Sequence, residues 1–125
     1  MQIIPNITDA EWEVMKVFWL RSSFSTANEI VDELSKITSW KPNTIKTLIS
    51  RLVKKKALGY KEDGKTHLYF PLVQEEECIK AESESFLKRV YGGALKPLLV
   101  NFLNEEKLTQ EEIEELKRLL EERTE

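Results

Sequence analysis

The sequence has little of what a covalent framework, a metal site or an active site requires. It contains one cysteine, Cys78, and one histidine, His67, among 125 residues. A single cysteine excludes an intramolecular disulfide and any multi-cysteine zinc or copper site. There is no glycine-rich phosphate loop and no recognisable catalytic pair of carboxylates. The sequence therefore predicts neither an enzyme nor a bound cofactor.

Long apolar runs are also missing. No run approaches the roughly 20 residues of a membrane span, and residues 1–5 lack the basic and apolar regions of a signal peptide. We therefore expect a cytoplasmic protein. Its length fits one domain, or one domain with a small appendage.

Charge is distributed unevenly along the chain. The net charge is -3, yet residues 1–72 hold 11 Lys and Arg against 8 Asp and Glu, and residues 73–125 hold 8 against 14. Residues 41–65 alone contain eight basic and two acidic side chains. The negative total thus hides a basic segment that suits an anionic partner.

The first part of the chain predicts three helices. Thr8 and Glu11 form a capping-box pattern before an apolar stripe, so helix 1 is expected over residues 8–20. Ser25 or Thr26 could cap helix 2. Pro42 suits a first helical turn, and apolar residues at the i, i+3, i+4, i+7 spacing predict helix 3 over residues 42–55.

A hairpin is expected after helix 3. Residues 58–62 and 65–71 are strand-like and flank Asp63-Gly64, a pair that favours a type I′ turn. Three helices followed by a hairpin is the order of a winged helix.

The remainder of the chain, from residue 73, predicts three more amphipathic helices. They have much apolar surface for their mass, so we interpret them as a self-association lobe. The predicted fold is therefore mainly α with a small β-hairpin: a winged helix-turn-helix DNA-binding domain over residues 1–72 and a three-helix dimerisation domain over residues 73–125.

The face of helix 3 opposite its apolar stripe carries side chains that reach base edges and phosphates in a major groove. A solvated face of an ordinary amphipathic helix is the alternative, but the lysines of the hairpin favour DNA. The predicted DNA-binding residues are Asn43, Thr44, Lys46, Thr47, Ser50, Arg51, Lys54 and Lys65. The basic end of helix 3 also interacts favourably with the helix dipole, which is compatible with phosphate contact. His67 is expected to pack across strands or lie at the surface, and Cys78 to be a small semi-buried side chain.

Several motifs resemble the penicillinase repressor family, which includes regulators of β-lactamase and methicillin-resistance genes and copper-responsive repressors. The resemblance covers essentially the whole chain. The motifs are the Trp-Glu-Val-Met run at 12–15 with Trp19, the Ala-Asn-Glu-Ile run at 27–30, the Trp40-x-Pro42 pattern continuing to Lys55, Tyr91-x-Gly93, and the Leu-Val-Asn-Phe run at 99–102.

This resemblance implies a homodimeric repressor that binds palindromic operator DNA of the TACA/TGTA type and silences resistance genes. It also implies inactivation by proteolysis, in which a membrane β-lactam receptor with a zinc protease domain leads to cleavage of the repressor. The bond that is cut in the family corresponds to Asn101-Phe102 here. The copper branch is disfavoured, because its paired Cys-x-Cys motifs, whose soft thiolates select Cu(I), are missing here.

Three residues depart from the family's pattern. Lys41 stands where relatives have a capping serine, Asn43 replaces a common lysine, and Lys56 replaces a glycine at the end of helix 3. The first should weaken helix initiation by about 1 kcal/mol, and the second bears on operator preference because asparagine reads adenine edges better than phosphate. Two other interpretations stay open: a repressor with a non-β-lactam inducer, and a winged-helix module that binds a protein.

Overall fold

The computed structural model describes residues 3–123. Within them the order is α1 (Asp9–Arg21), α2 (Ala27–Ser35), α3 (Pro42–Lys54), β1 (Leu58–Asp63), β2 (Thr66–Pro71), α4 (Glu75–Tyr91), α5 (Leu95–Asn104) and α6 (Gln110–Glu122). This confirms a mainly helical chain with one small hairpin, in the winged-helix order.

Capping boxes begin the first two helices. The Glu11 N–H donates to Thr8 Oγ1 at 3.2 Å, and Glu11 Oε1 accepts from the Thr8 N–H at 3.0 Å. Thr26 and Glu29 repeat the arrangement at α2, so of the two candidate caps the structure selects Thr26. Each box satisfies two backbone donors that the first helical turn leaves unpaired.

The core lies where the first three helices meet. It buries Val14, Met15 and Phe18 of α1 together with apolar residues of α2 and α3. All three tryptophans, at positions 12, 19 and 40, are half-buried against this core. The tryptophans therefore contribute to the packing of the core.

The hairpin forms as expected, but its turn differs from the prediction. Asp63 pairs with Thr66, so the two loop residues are Gly64 and Lys65 and not Asp63 and Gly64. Gly64 alone has a positive φ, at 66°, which is the pattern of a type II′ turn. The type I′ expectation was wrong, because in a II′ loop glycine at the first position supplies the positive φ and the second residue needs none.

The chain divides into two compact units, one ending at Ala81 and the other beginning at Glu82. The sequence placed the division after residue 72, whereas the structure divides the chain within α4. The reason is burial: Val73 and Cys78 both pack into the core of the first unit.

The second unit contains the rest of α4 together with α5 and α6. None of the side chains that the structure describes in α5 or α6 is buried. Large apolar side chains, among them Leu103 and Leu120, are exposed on these helices. The unit is helical, as predicted, and part of its apolar surface is exposed in the single chain.

The end of α3 is backbone-strained. Lys56 has a φ of 66°; its N–H donates to the Val53 carbonyl at 3.0 Å, and the Ala57 N–H donates to the Leu52 carbonyl at 2.9 Å. These two bonds form a Schellman motif, whose left-handed residue is usually glycine. A lysine there has a Cβ that crowds the backbone.

Replacing Lys56 by glycine should therefore stabilise the first unit by about 0.5–1 kcal/mol, the strain relieved less the entropy that glycine adds to the unfolded chain. Urea unfolding followed by tryptophan fluorescence measures this, because all three tryptophans lie in the first unit. Lys56→Ala is the matched control, since it removes the same charge and keeps the Cβ. Equal stability of the two variants would contradict the strain argument.

Candidate nucleic-acid interface

Helix α3 is one-sided. Ile45, Leu48, Ile49 and Leu52 are buried in the core, and they recur at the spacing of a single helical stripe. Burial of that stripe directs the opposite side of α3 to solvent. The seven residues predicted there are all exposed: Asn43, Thr44, Lys46, Thr47, Ser50, Arg51 and Lys54.

The cations on this face have no acidic partner. In the first unit Lys16, Arg21, Lys36 and Lys55 each pair with a glutamate. Lys46, Arg51, Lys54 and Lys65 form no ion pair with any residue between 3 and 123. Their positive charge is therefore available to an external anion.

The polar side chains on α3 have hydrogen-bonding groups that are free for an external partner. The Thr47 hydroxyl donates to the Asn43 carbonyl at 2.9 Å, which leaves its oxygen to accept a further hydrogen bond. The side chains of Asn43 and Ser50 make no hydrogen bond to another described residue. These groups can meet base edges without first breaking an internal bond.

The hairpin and α3 enclose a groove of about 380 Å³. Lys46 from α3 and Lys65 from the hairpin turn both line it, so the structure brings these two predicted residues together. Thr26 and Asn28 in the first turn of α2 complete the wall, as does His67. Thr26, Asn28 and His67 were not among the DNA-binding residues predicted from the sequence. For Thr26 and Asn28 the available signal was the cap that begins α2, because the N-terminus of a helix favours anions.

The hairpin is held against the helices by backbone pairing. Ser25 and Tyr69 exchange two hydrogen bonds, at 3.0 and 2.8 Å. The Phe24 ring meets the Phe70 ring edge-on at 5.2 Å. Gly59 lies against Phe70, where any Cβ would approach the ring to 2.9 Å. These contacts fix the position of Lys65 relative to α2.

Lys55 has a different role from its neighbours. It is part of the basic end of α3, but its ammonium hydrogen-bonds the buried Glu11 carboxylate and also donates to the Asn6 carbonyl at 2.8 Å. Burial acts to raise the pKa of Glu11, but the Lys55 hydrogen bond, the Thr8 N–H and the Lys55 charge outweigh it and hold the pKa below its ordinary value. Lys55 thus ties the end of α3 to the start of α1.

The start of α3 has no side-chain hydrogen bond that caps the helix. Lys41 is its N-cap residue and makes no side-chain capping hydrogen bond, although Pro42 occupies the first turn. This agrees with the weaker initiation expected from a lysine at that position.

Other kinds of site find no support in the described part of the chain. Between residues 3 and 123 no three His, Cys, Asp or Glu residues are grouped so that they could hold a metal ion. No helix in that range combines the length and the apolar character needed to cross a membrane. Cys78 is buried, and this burial, with Glu77 and Glu75 nearby, raises the pKa of its thiol.

Comparison with known proteins identifies the family. The model described as penicillinase repressor matches residues 7–122. The chain is 48% identical over 122 residues to the penicillinase repressor of Bacillus licheniformis, covering 98% of this chain and 94% of that protein. The chain belongs to the penicillinase repressor family. It is also 41% identical over 115 residues to the methicillin resistance regulatory protein MecI of Staphylococcus aureus, covering 92% of this chain and 93% of that protein.

Two solved structures of the repressor BlaI are similar to this chain over 62% of its length. The DNA-binding domain of the repressor BlaI is similar at a TM-score of 0.54 and 45% identity, over 62% of this chain and 93% of that domain. The monomeric form of Bacillus licheniformis BlaI, in complex with the blaP half-operator, is similar at a TM-score of 0.53 and 47% identity, with the same coverage of 62% and 93%. The winged helix is thus confirmed, in a family of DNA-binding transcriptional repressors.

The residues that the family resemblance marks for cleavage lie in the second unit. Asn101 and Phe102 are both exposed near the end of α5. The Asn101 carbonyl accepts from the Glu105 N–H at 3.2 Å, and the Phe102 carbonyl accepts from the Lys107 N–H at 3.1 Å. The side chains on both sides of the Asn101–Phe102 peptide bond are exposed, but the backbone at this bond is helical.

Replacing Lys55 by methionine should destabilise the first unit by about 1–3 kcal/mol at neutral pH, because a buried carboxylate loses its cation. The low folded-state pKa of Glu11 gives stability that is present above its unfolded pKa and lost as pH falls through the folded value. The gap between wild type and variant should therefore narrow toward about pH 4. Tryptophan-monitored urea unfolding at several pH values tests this, with the unpaired Lys54→Met as control. An equal effect of both substitutions would refute the assignment.

Proposed function

We propose that this chain is a homodimeric repressor of β-lactamase or related resistance genes, which occupies a palindromic operator and is inactivated by proteolysis. The observation that carries the DNA-binding part is the exposed α3 face with cations that lack internal partners. The BlaI–half-operator complex supports it, since that relative covers the same winged helix. Repression then follows from steric occlusion of the promoter, in the cytoplasm.

The side chains divide into two roles at this interface. Arg51, Thr47 and Asn43 reach base edges: arginine pairs with guanine in a bidentate manner and asparagine with adenine. Lys46, Lys54 and Lys65 neutralise phosphates, with Thr44 and Ser50 as neutral donors to the backbone. The first group gives specificity and the second gives affinity that depends on salt.

The second unit supplies dimerisation in this proposal. Apolar residues on α5 and α6 are exposed in the single chain, among them Leu99, Phe102, Leu103, Leu116, Leu119 and Leu120. Burial of one large apolar side chain contributes about 1.5–3 kcal/mol. A second copy of the same unit is the partner that suits a palindrome, because two-fold symmetric DNA matches a two-fold symmetric protein.

The geometry of α5 supports regulated cutting at Asn101-Phe102. A protease binds an extended segment, so this bond must first leave the helix by local opening. Neither end of α5 favours the helix strongly: Ala94 gives no side-chain cap, and Glu106 has a strained φ of 55°. Glutamates at 105 and 106 are also unfavourable at a helix C-terminus.

Cleavage would release the operator by mass action. It separates Phe102 and α6 from the rest of the second unit, so the dimer loses apolar contacts and becomes less stable. A monomer then loses the gain in affinity that comes from binding both half-sites of the operator at once. We assign the cutting to a membrane β-lactam receptor with a zinc protease domain. A receptor gene beside the gene for this chain would support that partner, and its absence would favour another inducer.

Arg51→Ala should lose about 1–3 kcal/mol of affinity for operator DNA and little for a scrambled duplex. Lys54→Ala should weaken binding to both duplexes alike and lower the salt slope by about 0.9. Mobility-shift titration on the two duplexes separates these outcomes, with the α4 variant Lys80→Ala as a control. Wild-type binding by the Arg51, Thr47 and Lys54 alanine variants would exclude α3 as the reading helix.

The same titration in increasing salt separates a DNA-binding protein from a winged-helix protein-interaction module. Operator affinity should fall steeply with salt, by about 0.9 log units per phosphate contact for each tenfold increase. A flat response would favour the protein-interaction module.

Glu106→Gly should slow cleavage by the activated receptor about two- to fivefold. Glycine relieves the positive-φ strain, worth about 0.5–1 kcal/mol, and so stabilises the closed helix end. Glu106→Ala removes the same charge and keeps the strain, which makes it the matched control. Mass analysis of the fragments over time gives both the rate and the site. A cut outside residues 95–105, or equal rates for both variants, would contradict the opening mechanism.

A further inference from the structure

His67, the single histidine of the sequence, is rigidly oriented on the hairpin. Its ring stacks on Tyr60 with centroids 4.5 Å apart and planes 15° from parallel. The Tyr69 ring meets it edge-on at 6.1 Å. Its Cα pairs across the hairpin with Glu62. The cross-strand packing expected of His67 is therefore present, and it leaves the side chain 43% exposed.

The same ring faces the groove that the interface uses. His67 lines the 380 Å³ groove together with Lys46 and Lys65. It also lines a smaller cleft of about 230 Å³ against Ser50 and Val53 of α3. The His67 side chain is therefore on the side of the hairpin next to α3, the helix whose exposed face carries the unpaired cations.

The charges around His67 come from three elements. On β1, Glu62 Oε1 lies 3.7 Å from His67 Nε2, and on α3 and the hairpin turn the two lysines Lys46 and Lys65 line the same groove. The first turn of α2 contributes only the neutral Thr26, Ala27 and Asn28. The rings of Tyr60 and Tyr69 also pack against His67. Burial, with a smaller contribution from Tyr60, raises the pKa of Tyr69. Glu62 is thus the carboxylate next to the ring, and the two lysines make the groove attractive to a phosphate.

We propose that His67, in its protonated form, binds a backbone phosphate of the operator, so that operator affinity increases as pH falls. The inference rests on the proposed DNA-binding function. Imidazole passes from neutral to cationic between about pH 8 and pH 5.5. A bound phosphate favours the cation, so DNA binding takes up a proton at each contacting ring, and a lower pH drives that uptake.

The contribution of His67 to the pH dependence of operator binding can be measured separately, because the chain has one histidine. His67 is its single imidazole, and the raised pKa of the buried Cys78 keeps that thiol neutral in the same pH range. A pH effect on operator binding that disappears when His67 is replaced therefore belongs to this ring.

The test is fluorescence-anisotropy titration of the full-length chain with a TACA/TGTA palindromic duplex at about pH 8 and pH 5.5, each over a range of salt. Wild-type affinity should be about two- to fivefold higher at the lower pH for each contacting His67, the usual range for an exposed charge pair. The salt slope should steepen by up to about 0.9 per contact.

Three variants separate charge from packing. His67→Phe keeps an aromatic ring on Tyr60 without a titrating proton, so it should bind at both pH values like the neutral wild type. His67→Gln should do the same, and His67→Lys should bind tightly at both. Salt-dependent operator binding by wild type without any pH effect, or a pH effect that persists in His67→Phe and His67→Gln, overturns this inference and leaves the proposed function standing. Operator binding that is independent of salt at both pH values overturns both.

Discussion

The burial of one apolar stripe on α3 is the constraint on which the interface depends. Ile45, Leu48, Ile49 and Leu52 are all within the core, and a helix cannot hide that stripe without turning its opposite side outward. The exposed side of α3 carries only polar and basic residues. A polar substitution in the stripe would therefore disturb the interface as well as the stability of the first unit.

Local charge explains how an acidic chain can suit DNA. The -3 total combines a basic winged helix with an acidic second part, and in the first unit several cations away from α3 are neutralised by nearby glutamates. Adjacent lysines differ in this respect, because Lys55 supports the fold through its ion pair with Glu11 whereas Lys54 makes no ion pair with any residue between 3 and 123. The acidic character of residues 73–125 makes that part of the chain a poor match for a polyanion such as DNA.

Local patterns allowed much of the fold to be predicted. The capping box at Thr8, the stripe on α3 and a turn at Gly64 are short-range signals, and all appear in the structure. The Glu11–Lys55 pair joins residues 44 positions apart, so no local pattern could reveal it. The turn type was missed because the register of the strands decides which two residues form the loop. The structure divides the chain within α4 because Val73 and Cys78 pack into the core of the first unit. The packing of His67 across the strands was predictable, but its place beside the groove with Lys46 and Lys65 depends on how the hairpin lies against α2 and α3.

The most direct test of the central claim is an amide chemical-shift map of the isotope-labelled chain as operator duplex is added, with a scrambled duplex as reference. The account predicts that the operator-specific shifts concentrate on α3 from Asn43 to Lys54 and on the hairpin around Lys65. Shifts that are the same for both duplexes, or that concentrate on the second unit and leave α3 unchanged, would contradict the assignment of α3 as the element that reads DNA.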